Sequence, residues 1–165
     1  RRQVFDEDME ILREEVFYVD VASRVVEKDV GILRMREKFN LGIEGVDVAN
    51  LVEANLAQSV GSPVLVAGFP TSSLPTSILT QSFTFTEGMM TGKTREATEA
   101  LGLDTPLVKT TANVAPGSSG GALYSMIDGE WKLVGTTVAM NNQFQFMSYF
   151  STPESVNYVI GVVIG

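Results

Sequence analysis

The sequence predicts an all-β barrel or sandwich that ends in a helix. Three observations carry that prediction. Short runs of β-branched and aromatic residues recur with turn signals between them. Ala122-Leu123-Tyr124-Ser125-Met126 and Trp131-Lys132-Leu133-Val134-Gly135-Thr136-Thr137-Val138 flank an Asp128-Gly129 pair, the pattern of a tight hairpin. From Pro153 onward, Val156, Val159, Ile160 and Val163 switch to helical spacing, with Ser151 or Thr152 placed to cap the first turn.

The other elements follow in chain order. Residues 1–15 carry Asp6, Glu7, Asp8, Glu10, Glu14 and Glu15 among apolar positions that keep no single period, so a strand and a short helix both fit. Val16 to Val21 reads as a strand, and Val30 to Met35 as a second one after the charged turn Glu27-Lys28-Asp29. Residues 40–57 read as a connector. Gly61-Ser62-Pro63 opens the buried-strand candidate Val64-Leu65-Val66-Ala67-Gly68, which stops at Phe69-Pro70. Residues 71–77 are rich in Ser, Thr and Pro and read as loop. Ile78 to Thr86 ends in a strand-like alternation, and residues 93–104 fit one helical turn or a surface loop. Leu107 to Thr111 and Gln145 to Phe150 read as strands. No internal repeat or low-complexity linker appears.

Composition narrows the chemistry. The 165 residues are 44% apolar and 19% charged, enough for one globular domain. Cysteine is absent, which removes disulfides and thiolate metal sites. Histidine is absent too, so neither a zinc site nor a Ser-His-Asp triad can be completed within this chain. No metal and no cofactor is expected. A net charge of −8 argues against a nucleic-acid partner and against a basic membrane-docking face. No apolar run reaches the roughly 18 residues that span a bilayer. The opening Arg1-Arg2-Gln3 has no initiator Met, which suggests a processed product or a piece of a longer polypeptide.

One segment carries candidate chemistry: Ala115-Pro116-Gly117-Ser118-Ser119-Gly120-Gly121. It fits the G-x-S-x-G elbow of α/β-hydrolases, but an elbow needs a helix after the serine and a histidine further on. Here a hairpin follows and no histidine exists. The loop also suits an acyl-transfer serine. Such a serine needs backbone N–H groups aimed at a developing oxyanion, and glycines let the chain turn them inward. Ser119 is then the nucleophile, with the N–H groups of Gly117 and Ser119 as the oxyanion hole. A second Gly-rich segment, Gly88-Met89-Met90-Thr91-Gly92-Lys93-Thr94, has three residues between its glycines where a phosphate loop needs four. Phe83, Met89 and Met90 read instead as core or cleft packing.

The stretch Thr110-Thr111-Ala112-Asn113-Val114-Ala115-Pro116-Gly117-Ser118-Ser119-Gly120-Gly121-Ala122-Leu123 resembles the nucleophile loop of the trypsin-like serine proteases, most closely their HtrA/Deg-like branch. Other segments fall in the same order. Asp29-Val30-Gly31-Ile32-Leu33 is similar to the segment bearing the triad aspartate, with Asp20 as the fallback. Pro63 to Pro70 resembles the strand that opens the second barrel. Leu133-Val134-Gly135-Thr136 resembles the strand leading to the substrate edge, and Tyr149 to Pro153 the closing strand before the helix. Ser118, Ala122 and Gly31 depart from the usual residues without removing any chemistry.

The resemblance implies a chymotrypsin-like double β-barrel, partial in the first barrel and complete in the second. Residues 1–57 would end the first barrel and connect it, and residues 58–165 would form the second barrel with its helix. It implies a serine endopeptidase in which Asp29 orients a histidine supplied from an upstream segment, or from a partner chain completing the first barrel. Val138, Ala139, Met140 and Asn141 would bind a peptide or protein substrate, with a small or medium apolar residue before the scissile bond. Trimers are common in that branch, which leaves room for a homo-oligomer. The competing expectation is a catalytically inert protease-like domain with a binding or assembly role in a larger complex or virion.

Overall fold

A computed structural model describes residues 2–36, 60–70, 83–141 and 147–164 of the chain. Two antiparallel hairpins come first: β1 (Arg2–Phe5) with β2 (Ile11–Glu15), and β3 (Val19–Val25) with β4 (Val30–Met35). The acidic opening is therefore strand, not helix. Asp6 explains its turn, because the carboxylate accepts hydrogen bonds from the Asp8 and Glu10 N–H groups at 2.9 and 3.0 Å. β3 begins later than the pattern suggested, leaving Val16 and Tyr18 outside it and exposed.

Six strands then close a barrel: β5 (Pro63–Gly68), β6 (Thr84–Thr94), β7 (Leu107–Thr110), β8 (Ala122–Ile127), β9 (Glu130–Asn141) and β10 (Met147–Phe150). They run in the order β10-β7-β6-β5-β8-β9, and every neighbouring pair is antiparallel. Closure removes the exposed edges that an open sheet would have. Every strand places a side chain in one core: Val64, Val66, Met90, Val108, Leu123, Val134 and Phe150. The β8–β9 turn is the expected one, with Asp128 and Gly129 both left-handed at φ 52° and 79°.

Some expectations shift. Gly88 to Thr94 lies within β6, which excludes a phosphate loop there. Met90 joins the core, whereas Met89 points outward and is half exposed. Residues 95–102 form successive turns rather than a helix, with one i→i+4 bond from the Leu101 N–H to the Ala97 carbonyl. The expected connector at 40–57, the loop at 71–77, the start of the Ile78–Thr86 segment and the start of the Gln145–Phe150 strand lie outside the described residues.

The helix α1 (Pro153–Ile164) begins as the sequence suggests, with Pro153 in the first turn after Thr152. The Thr152 hydroxyl accepts from the Ser155 N–H at 3.2 Å, a side-chain N-cap. Val156 and Val159 pack on Val30, flanked by Val25, Ile32 and Ile160, so the helix clamps the β3–β4 hairpin to the barrel. Lys28 strengthens the clamp through an ion pair with Asp104 at 3.0 Å and a position 4.9 Å above the Tyr158 ring. No helix among the described residues is long and apolar enough to cross a membrane.

A polar cluster ties the 95–106 connection to the barrel. Glu96 accepts from the Lys109 ammonium at 2.8 Å and from the Tyr149 hydroxyl at 3.0 Å, and Lys109 and Tyr149 are cross-strand partners. Burial, then the Glu96 carboxylate, raises the Tyr149 phenol above its ordinary value. The Lys109 hydrogen bond, then that of Tyr149, holds Glu96 below the usual carboxylate value. The unfolded chain therefore loses the Tyr149 proton at a lower pH than the folded one, and stability falls as pH rises past about 10. The Glu96 contribution is lost in the opposite direction, as pH falls through the acidic carboxylate range. Urea midpoints measured from neutral to alkaline pH should drop less steeply for Tyr149→Phe than for the parent chain.

Candidate active site

The candidate nucleophile loop is held by backbone crossings that only small residues permit. Thr111 bonds back to β6, its N–H to the Met89 carbonyl at 3.1 Å and its hydroxyl accepting from the Met89 N–H at 2.9 Å. The chain then crosses the barrel end directly over Gly88, where any Cβ would run into the Ala112 and Thr111 backbone. Thr86 donates to the Asn113 carbonyl at 2.6 Å, and the buried Ser148 hydroxyl donates to the Ala112 carbonyl. These bonds deliver residues 113–116 to the rim.

The turn itself distributes its donors unevenly. The Ser118 N–H donates to the Ala115 carbonyl at 3.0 Å, and the Gly121 N–H to the Ser118 carbonyl at 2.9 Å. The Gly120 N–H donates to the Thr137 carbonyl at 3.0 Å, and the Thr137 N–H returns to the Gly121 carbonyl at 2.9 Å. Among the described residues, the N–H groups of Gly117 and Ser119 alone in this turn have no acceptor. Gly117 and Gly120 take left-handed φ values of 93° and 81°, which glycine adopts at little cost. Ser119 is exposed, whereas Ser118 is 5% exposed and turns its hydroxyl back to the Ala115 N–H at 3.4 Å.

β9 runs directly past this turn. Its pairing with β8 ends at Thr136–Ala122, and Thr137 bonds to the loop. Beyond that point Val138, Ala139, Met140 and Asn141 are flanked by β10 on one side, with Ala139, Met140 and Asn141 opposite Tyr149, Ser148 and Met147. Val138, Ala139 and Met140 have no second strand partner among the described residues. Val138 and Ala139 are half-buried, and Met140 and Asn141 are exposed. The structure thus gathers Gly117, Ser119 and the 138–141 edge in one place.

Asp29 lies on a different element, the β3–β4 hairpin. It ends the 3₁₀ turn Val26–Lys28 in the left-handed region at φ 52°, donates its N–H to the Val26 carbonyl at 3.1 Å, and is exposed. Among the described residues its carboxylate has no hydrogen-bond partner. The neighbouring turn is fixed to the barrel by the bond from the Asp104 N–H to the Glu27 carbonyl at 2.9 Å. Asp20, the fallback, is engaged by Arg36 at 2.9 Å, with both side chains about 60% exposed.

Sequence reasoning missed a cleft on the opposite flank of the loop. Val66, Gly68, Pro70, Thr84, Thr86, Asn113, Val114, Ala115 and Ser118 enclose about 130 Å³, and none of residues 138–141 lines it. The small residue ending β5 was the available signal. A Cβ on Gly68 would stand 3.7 Å from the Ser118 Cα and 3.9 Å from the Gly121 Cα, so β5 and the loop nearly touch there. Among the described residues no three acidic side chains converge as a metal site requires.

Comparison with known proteins gives the family and the fold. The sequence model of the trypsin-like peptidase domain matches residues 1–135, and the chain belongs to that family. No curated protein matches the sequence. Among solved structures, the HtrA-type protease AlgW, bound to a decapeptide, superposes with a TM-score of 0.68 at 19% identity, over 98% of this chain and 43% of that one. The active form of the Rv3671c protease from M. tuberculosis gives 0.61 at 19% identity, over 89% of this chain and 59% of that one. Its inactive form gives 0.62 at 18% identity, over 90% and 68%. The fold is thus the chymotrypsin-like one, with the second barrel closed and the first represented in part. The chain spans less than two thirds of AlgW and of active-form Rv3671c.

Proposed function

We propose that this chain is the nucleophile-bearing part of a serine endopeptidase. The observation that carries the reading is the pairing of an exposed Ser119 with two N–H groups, Gly117 and Ser119, that no acceptor claims among the described residues, while those of Ser118, Gly120 and Gly121 are engaged. Ser119 Oγ attacks the scissile carbonyl and gives its proton to an imidazole from an upstream segment. The two N–H groups hold the oxyanion, and the imidazolium returns the proton to the leaving amine. Asp29 orients that imidazole and stabilises its charge. The peptide lies along Val138–Asn141 by main-chain hydrogen bonds, the mode of strand addition.

The β3–β4 hairpin supports the upstream segment. Its cross-strand partners Val21 and Leu33 are 66% and 60% exposed, and Val19 beside them is also exposed. In this reading residues 1–57 end the first barrel, and the missing strands cover that apolar face. The competing reading, an inert domain used for binding or assembly, draws on the absence of histidine from the chain. A fluorophosphonate probe separates them. Applied to the full-length protein, it is expected to modify the peptide containing Ser119, located by mass spectrometry. No adduct in a protein whose upstream segment carries a histidine overturns the endopeptidase reading.

A further inference from the structure

The β3–β4 hairpin forms a sheet of its own, and among the described residues no backbone ladder joins it to the barrel that carries Ser119. Strand register therefore does not set where Asp29 stands relative to that barrel, and the contacts around the hairpin turn must do so. Those contacts lie on both sides of Asp29. Before it, the Glu27 carbonyl accepts the Asp104 N–H at 2.9 Å, and the Lys28 ammonium pairs with the Asp104 carboxylate at 3.0 Å. After it, Val30 is buried against Val156 and Val159 of α1. Apolar burial is non-directional and lets the two surfaces slide, whereas the hydrogen bond and the ion pair fix direction and distance. Asp29 itself is exposed between these fastenings.

We propose that Lys28 and Asp104 are positioning residues for the reaction, holding Asp29 in register with the barrel that bears the nucleophile. The inference rests on the endopeptidase reading and deepens it. Lys28 is placed for the task. Its side chain is only 13% exposed, and its ammonium meets Asp104 while lying 4.9 Å above the Tyr158 ring, so one side chain ties the turn to both the 95–106 connection and α1. Asp104 stands on a braced segment. The Leu103 N–H before it donates to the Thr98 carbonyl at 2.9 Å, and the Thr105 hydroxyl after it lies 3.2 Å from that of the buried Ser155 on α1. Asp104 is itself half exposed, so the ion pair adds little to stability. Its effect is on geometry, and a misplacement of about 1 Å at a reacting group can lower a rate on the order of 10²-fold.

The test is the saturation kinetics of fluorophosphonate labelling at Ser119 in the full-length protein, which separate the limiting rate from the half-saturating probe concentration. Lys28→Met keeps the apolar stem and removes the charge. It is expected to lower the limiting rate by about ten- to a hundredfold, with the half-saturating concentration and the melting temperature little changed. Asp104→Asn, which keeps the backbone bond to Glu27, is expected to act in the same direction and carries the test alone if Lys28→Met does not fold. Lys28→Arg retains a cation for Asp104 and for the Tyr158 ring, and is expected to stay within about threefold of the parent. A double-mutant cycle shows whether the pair works through Asp29. In an Asp29→Asn background, itself slower on the order of 10⁴-fold, Lys28→Met is expected to cost no more than about twofold. A limiting rate unmoved in both Lys28→Met and Asp104→Asn, or an equal loss with and without Asp29, overturns the positioning role and leaves the endopeptidase standing. Normal labelling in Asp29→Asn overturns it together with the role of Asp29. Absence of labelling in the parent protein overturns the endopeptidase reading and the inference with it.

Discussion

Ser119→Ala in the full-length protein is expected to abolish fluorophosphonate labelling and to lower peptide turnover on the order of 10⁶-fold, the size of loss that follows removal of a serine-protease nucleophile. KM should change little, because the groups proposed to hold the peptide are main-chain atoms of Val138–Asn141. Stability should also hold. Ser119 is exposed and its side chain makes no hydrogen bond among the described residues, so the change belongs with surface substitutions worth about ±0.5 kcal/mol or less. Loss of turnover with an unchanged melting temperature is the signature of a chemical role. A turnover that survives the substitution would remove Ser119 from the mechanism.

The adjacent serine makes this test sharp. Ser118 and Ser119 are chemically alike, yet the loop treats them differently. Ser118 is buried, with its N–H, carbonyl and hydroxyl all engaged inside the turn. Ser119 has its N–H unclaimed and its side chain at the surface. A probe adduct on Ser118 would therefore contradict the geometry, whereas an adduct on Ser119 agrees with it. The alternatives differ as well. An inert assembly domain would keep its partners in Ser119→Ala, and so lose nothing measurable.

The residues differ in how far they announced their roles. The Asp128-Gly129 hairpin, the Thr152 cap with Pro153 and the β5 run were legible because each is a local rule, satisfied within a few residues. The tight turn at 117–121 was legible because its glycines are dictated by backbone geometry and sit close together in sequence. The donor pattern was not, since the partners of Gly120 and Gly121 include Thr137, and the long-range register of β9 decides them. The segment from Gly88 was read only as a failed phosphate loop, and the use of its glycine was not legible: it is needed for the 111–112 crossing, a contact more than twenty residues away. The cleft was illegible for the same reason, because its walls come from three segments that meet only in the closed barrel.

Gly121→Ala is expected to destabilise the domain by about 1–3 kcal/mol, the range for forced overpacking, and to slow labelling of Ser119 even at temperatures where the chain is folded. At this chain length that corresponds to a fall in melting temperature of about 2–12 °C. The cause is space rather than backbone conformation. A Cβ there would stand 2.5 Å from the Ala67 carbonyl oxygen and 2.9 Å from that of Ser118, both backbone atoms. Neither can withdraw freely, because the Ser118 carbonyl accepts the Gly121 N–H and Ala67 is paired in β5 between β6 and β8. Relief must come from moving residues 118–121 away from β5, which displaces the Ser119 N–H. Gly129→Ala separates the two causes. That glycine has φ 79° and nothing within 4 Å of its missing Cβ, so alanine there incurs conformational strain alone, about 1 kcal/mol. Its turn lies at the far end of the β8–β9 hairpin from the loop. Melting temperature should fall in both variants, but the labelling rate should fall only in Gly121→Ala. Equal labelling in the two would mean that the close approach of Gly121 to β5 shapes the barrel and has no hold on the proposed oxyanion donors.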